Sequence, residues 1–197
     1  MKHAIDYENI RLIVPNMDYM ASYRAAIKEY TARGVEDFAY PKVSTKRNAL
    51  AYLKRVENYR RGIGLPKGYV PGSSFWLVDG QHYLGSGDVR HYLTDSLRKL
   101  GGNIGYSINP LFWRHGLGTM QLGLLLQEAQ KLRIAKPLIT CFDGNAASAK
   151  IIEKHGGVLQ NKITNRFRGE DRLTRIYEID LTAPEERPIC VDVEIRH

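Results

Sequence analysis

The chain has 197 residues, a globular balance of 43% hydrophobic and 25% charged positions, and a formal net charge of +8. Its length suits one well-packed domain, or one with a decorated edge. It holds no apolar run near the roughly 20 residues of a membrane span, no signal-peptide core in Met1 to Asp6, and only two cysteines, Cys141 and Cys190, so the expectation is a cytoplasmic protein with reduced thiols and no membrane association.

In chain order, Asn9 to Val14 is short and β-branched and predicts a first strand. Pro15 opens a helix to about Arg33, with Gly34 as its C-cap. Ser44 or Thr45 caps a second helix whose apolar face carries Leu50, Leu53, Val56 and Tyr59, and which ends near Gly62 and Gly64. Ser74 to Val78 predicts a strand, Asp79-Gly80 a hairpin turn, and Gln81 to Leu93 the return, interrupted by Gly85-Ser86-Gly87. Asp95 to Leu100 reads as a helical turn, and Gly102 to Ile108 as a further strand closed by Asn109-Pro110. A leucine-rich helix is expected from about Leu117 to Leu132, then a buried strand at Leu138 to Phe142. Asn145 starts a helix that ends at Gly156-Gly157, and Val158 to Ile163 with Arg175 to Leu181 form a last antiparallel pair.

The order β-α-α-β-β-β-α-β-α-β-β predicts an α/β (α+β) fold, a mixed and mainly antiparallel central sheet flanked by helices, as a single domain over 1–182. The tail, 183–197, alternates Ile189, Val191, Val193 and Ile195 with polar residues. It reads either as an edge strand of its own sheet or as a strand that pairs with a second copy, giving a homodimer. Basic residues are scattered, densest at Lys46 to Arg61 with helical spacing, and no aromatic-rich RNA motif accompanies them. A solvated face is expected there, and nucleic acid is not an expected partner.

The chemistry centres on "NPLFWRHGLGT", Asn109 to Thr119. A strand delivers the chain to a tight loop, and the loop opens a helix. Arg114, His115, Gly116, Leu117 and Gly118 present successive N–H groups, the glycines leave the backbone approachable, and the helix adds the positive end of its dipole. That is a site for phosphate or pyrophosphate. A nucleoside-triphosphate loop would need G-x-x-x-x-G-K-[ST], and a dinucleotide fold would need three glycines after its first strand; neither pattern is present.

The stretch resembles the central motif of the GNAT superfamily of acyl-CoA-dependent N-acetyltransferases, Q/R-x-x-G-x-G/A, which holds the acyl-CoA pyrophosphate. A second stretch, "NAASAKIIEKHGG" from Asn145 to Gly157, resembles the family's helix beside the pantetheine arm. The resemblance covers roughly 70 to 180. It implies acetyl-CoA as cosubstrate, held by Ser107, Ile108, Asn109, Arg114, His115, Gly116, Leu117, Gly118, Thr119, Asn145 and Ser148. It implies direct attack by a primary amine of a small-molecule or peptide acceptor, with a backbone N–H of Ser107-Ile108-Asn109 polarising the carbonyl. Two positions depart from the pattern: Trp113 stands where Gln or Arg is usual, and Ile152 where many relatives carry the tyrosine that protonates the leaving thiolate. His91 and Tyr106 are the candidate catalytic groups; Asp88 stands with His91 as a general-base candidate on the strand that the resemblance turns toward the acceptor cleft, and Asn103 with Tyr106 as a holder of a water. Cys141 offers an acyl-enzyme route only if a histidine pairs with it, and His155 reads as a helix cap. No metal ligand set is expected. Without the usual tyrosine, a catalytically degenerate module that binds CoA or a protein partner as a sensor is the alternative.

Overall fold

The computed structural model describes residues 4–35, 41 and 43–182; the tail expectation, 183–197, lies outside the described residues. Seven strands form one sheet: β1 (Arg11–Ile13), β2 (Gly72–Val78), β3 (Tyr83–Arg90), β4 (Ile104–Ile108), β5 (Leu138–Phe142), β6 (Val158–Phe167) and β7 (Glu170–Glu178). Their spatial order is β1-β2-β3-β4-β5-β7-β6. Every neighbouring pair is antiparallel except β4 with β5. That one parallel pair is joined by α4 (Leu117–Lys131), since parallel strands need a crossover. The other helices are α1 (Met20–Ala32), α2 (Lys46–Arg61), α3 (Asp95–Lys99) and α5 (Ala146–Lys154).

α1 and α2 cover one face of the sheet, and α4 and α5 cover the other. On the first face Tyr23, Tyr30 and Ala49 bury against Trp76, Val78 and Tyr83. On the second, Leu122, Leu125, Leu126 and Ala129 of α4 bury against Val89, Ile104 and Ile139, each leucine contributing about 1.5–3 kcal/mol. β3 carries Gly87 because α4 lies close, a Cβ there sitting 2.5 Å from Leu125; a Cβ at Gly85 would strike the Ser107 carbonyl of the neighbouring strand β4 at 2.4 Å and stand 3.2 Å from Gln121 of α4. The glycine run of this strand is a seat for a helix, not a break.

The strand and helix boundaries differ from the sequence reading at several points. α1 begins at Met20, not at Pro15. β3 begins at Tyr83 because the Asp79 carboxylate folds back to accept from the N–H groups of Gln81 and His82, which lengthens the turn. On α2 the buried positions are Ala49 and Val56, while Leu50 is 50% exposed; the inward stripe is centred on Ala49, Tyr52, Leu53 and Val56. The last hairpin runs to Phe167 and restarts at Glu170, closed by Arg168 and Gly169, both with positive φ. Two such central residues make the turn type that matches strand twist. Thr45 caps α2, Gly34 takes positive φ after α1, and Asn145 caps α5, all as expected.

Candidate functional site

β4 and β5 pair through Ile104 and Ile139 and then part. Beyond that point the ladder ends, and backbone groups on the β5 side of β4 have no strand to bond. Register fixes which ones. The Arg90 N–H donates to the Asn103 carbonyl, and the Asn109 N–H donates to the Leu84 carbonyl. Alternation along an antiparallel ladder then turns Gly105, Ser107 and Asn109 toward β3, and Tyr106 and Ile108 toward the opening. Of the three N–H groups in Ser107-Ile108-Asn109, the one that faces the opening is that of Ile108, with the Tyr106 N–H beside it.

The opening leads into a cavity of about 650 Å³, within the usual span for small-molecule sites. Its wall runs along β4 through Tyr106, Ser107 and Ile108, continues through Arg114, Gly116, Leu117, Gly118 and Thr119, and closes on α5 with Asn145, Ser148 and Ile151. Tyr30, Gly34 and Val35 close it from the α1 side, with Phe112 and Trp113 beside the loop.

The loop into α4 is built for an anion. Thr45, Thr94 and Asn145 cap α2, α3 and α5 with their side chains, whereas α4 starts at Gly116, which has none to offer. Arg114 has φ 67° and Gly116 φ 75°, with His115 between them at ordinary φ. Left-handed residues alternating with right-handed ones make successive N–H groups converge, and the dipole end of α4 adds to them. A Cβ at Gly116 would meet nothing within 4 Å, so glycine is there for its conformation. A Cβ at Gly118 would lie 2.8 Å from the Ile151 δ-methyl, so that glycine lets α4 and α5 close on each other at the cavity floor. The exposed Trp113 indole donates to the Ile108 carbonyl at 2.8 Å and carries the Arg33 guanidinium over its ring at 5.8 Å. The departure at this motif position thus has a structural role: it ties the loop to the end of β4.

Two hydroxyl pairs face the cavity. Tyr106 and Ser148 are hydrogen-bonded at 3.1 Å, and Tyr30 and Ser107 at 3.3 Å. Burial pushes Tyr106 up to about 12, against the bond from Ser148, and pushes Tyr30 up to about 12, against its bonds with Ser107 and Tyr83. Both phenols are protonated near neutral pH. Burial also raises Cys141, which is a thiol in the core and a poor nucleophile.

Several expected residues stand elsewhere. Asn109 is 2% exposed and structural: its amide donates to the Tyr83 carbonyl and its oxygen caps Leu111. His115 is exposed outside the cavity wall, its carbonyl accepting from the Tyr7 hydroxyl. His91 lies off the cavity, bonded to Ser73 at 3.0 Å, and burial and the Arg60 charge lower its pKa. Asn103 bridges β3 and β5 through the Arg90 carbonyl and the Leu138 N–H. His155 is the C-cap residue of α5 and bonds the Thr119 carbonyl. Ile152 is fully buried in the core. Tyr30, Val35 and Ile151 were not legible as wall residues, because no local motif marks a side chain that reaches a site across the fold.

The family model for the GNAT acetyltransferase domain matches residues 11–158. The chain belongs to the GNAT family. Solved GNAT structures with the same fold include the Microcin C7 self-immunity acetyltransferase MccE in complex with acetyl-CoA and AMP, at 15% identity and TM-score 0.66, covering 88% of this chain and 93% of that one. The ribosomal L7/L12 alpha-N-protein acetyltransferase RimL, in complex with coenzyme A, aligns at 13% identity and TM-score 0.64, covering 87% and 94%. The ribosomal-protein-S5-alanine acetyltransferase from Vibrio fischeri aligns at 11% identity and TM-score 0.66, covering 91% and 96%. No match was found among curated protein sequences.

Proposed function

We propose that this GNAT protein transfers an acetyl group from acetyl-CoA to a primary amine by direct attack. The observation that carries the reading is the continuous path from the parted strands β4 and β5 to the α4 N-terminus, which has no side-chain cap. The pyrophosphate would sit on the N–H groups from Arg114 to Gly118, since that of Thr119 already donates to the Gly116 carbonyl, and the pantetheine arm would run along β4 opposite Asn145 and Ser148. The thioester carbonyl would accept from the Ile108 N–H, with the Tyr106 N–H beside it, so that charge developing on oxygen meets a fixed donor. The amine arrives as an ammonium and gives one proton to solvent water; its nitrogen then bonds to the carbonyl carbon and gives a second proton to water, and the carbon–sulfur bond breaks. The leaving thiolate takes its proton from the Tyr106 and Ser148 hydroxyl pair, which solvent then reprotonates and which supplies what Ile152 cannot.

Purified protein, acetyl-CoA and a panel of small amines and peptides with free N-termini test this, with thiol release and the mass gain of one acetyl group as readouts. Release with a matching product is expected. Tyr106→Phe is expected to lower kcat about tenfold or more, with KM for acetyl-CoA near wild type. An unchanged kcat would remove Tyr106 from the proton path. The burial of Ile152 at the usual acid position favours one other reading, a CoA-binding sensor module; CoA binding without thiol release from any amine would select it.

A further inference from the structure

On the α1/α2 face, the cross-strand rows can be read directly from the register. Trp76, Ser86 and Ser107 form one row, and Ser74, Asp88 and Gly105 form the next. Gly87 points to Leu125 of α4, so Asp88 points the other way, under α2. Its one hydrogen bond among the described residues comes from the Ser74 hydroxyl, and no lysine, arginine or histidine forms an ion pair with it there. Arg90, two residues along β3, donates to the Gly101 and Gly102 carbonyls; burial pushes the Asp88 carboxyl up, and the Ser74 hydroxyl and the more distant Arg90 charge offset that in part. A half-buried carboxylate with one neutral hydrogen-bond donor and no ion pair among the described residues is incompletely compensated.

The surroundings leave one side open. Tyr52 and Tyr59 of α2 flank the carboxylate, close enough that its charge raises both phenols further above the value burial alone gives them. Toward β4 there is no roof: a Cβ on Gly105 would meet nothing within 4 Å. Diagonal neighbours on one sheet face lie about 7–8 Å apart, and Ser107 stands in that relation to Asp88. Ser107 also lines the acyl cavity. A cation held by Asp88 over Gly105 would therefore stand beside the rim where the thioester carbonyl is expected.

We propose that Asp88 and the open backbone of Gly105 form the subsite for the acceptor's primary ammonium group, selecting cationic amines over neutral nucleophiles. This rests on the acetyltransferase reading.

The test uses the full chain saturated with CoA, with CoA binding first measured by calorimetry; failure at that step would count against the proposed function and not against Asp88. Propylammonium chloride is then titrated while the Asp88 carboxyl carbon and the Gly105 amide are followed by NMR, with n-propanol as the uncharged control. A saturable shift with propylammonium and none with propanol is expected. Asp88→Asn retains the bond from Ser74 and is expected to weaken propylammonium binding about tenfold or more with CoA affinity unchanged. Gly105→Val, at ordinary φ and with space to fill, is expected to weaken it similarly with Asp88 intact. Absence of a propylammonium shift, an equal response to propanol, or undiminished binding in either variant would overturn the proposal.

Discussion

Arg114 is held at φ 67° with its side chain exposed at the mouth of the cavity. A non-glycine residue in that region is strained by about 1–2 kcal/mol, so something keeps an arginine where glycine would rest. Charge for a phosphate is the reason offered here. Arg114→Gly is expected to raise unfolding stability by about 0.5–1 kcal/mol, the relieved strain less the entropy glycine adds to the unfolded chain. The same change is expected to weaken acetyl-CoA binding about tenfold, as loss of one charge-assisted contact. Denaturant unfolding and calorimetry read the two effects separately; unchanged affinity would show that the backbone alone holds the anion. At this scale the sequence showed the two glycines but not their different reasons. Gly116 supplies a backbone angle, whereas Gly118 supplies contact with Ile151. That distinction depends on a helix 30 residues further on, which no local pattern contains. Asn109 failed as a binding residue for a similar cause: its polar atoms are taken up by the Tyr83 carbonyl and the Leu111 N–H across a turn.

Among the elements, α4 on β3 sets the site. The helix enters against a strand made thin by Gly85 and Gly87, which lets its N-terminus reach the end of β4. Gly87→Ala is expected to destabilise the protein by about 1–3 kcal/mol, because the new methyl meets Leu125 and the helix must shift. Urea unfolding measures it; a neutral effect would mean that Leu125 turns aside freely. The order of elements along the chain, the mainly antiparallel character of the sheet and the capping residues Thr45 and Asn145 were legible, since period-two runs, a long leucine helix and polar caps are local signals; the spatial order of the strands was not, because pairing joins segments far apart in sequence. The wrong face for Leu50 has a clear origin: α2 buries small Ala49 beneath aromatic neighbours, and counting large apolar side chains alone misplaces the stripe. The interrupted reading of β3 arose because glycines in a strand signal a break as readily as a close neighbour.

For the whole molecule, the seven-stranded sheet of the described residues parts between its parallel pair, and the cavity and the uncapped helix meet there. GNAT structures at 11–15% identity share the fold over 87–91% of this chain, so the fold tolerates wide change of sequence. The formal net charge of +8 would draw a polyanionic cosubstrate toward that opening, an attraction that salt weakens. The proposed acceptor subsite lies on the opposite face, under α1 and α2, where no short motif marks a binding residue and the aromatic packing was readable only in the fold. The central claim is that the split sheet and the α4 N-terminus bind acetyl-CoA. Calorimetric titration of the wild type and of Gly118→Val, each shown to be folded by thermal unfolding, tests it most directly. Binding by the wild type, lost or weakened at least tenfold in the variant, is the expected result. No binding by the wild type, or equal binding by both, would contradict the account.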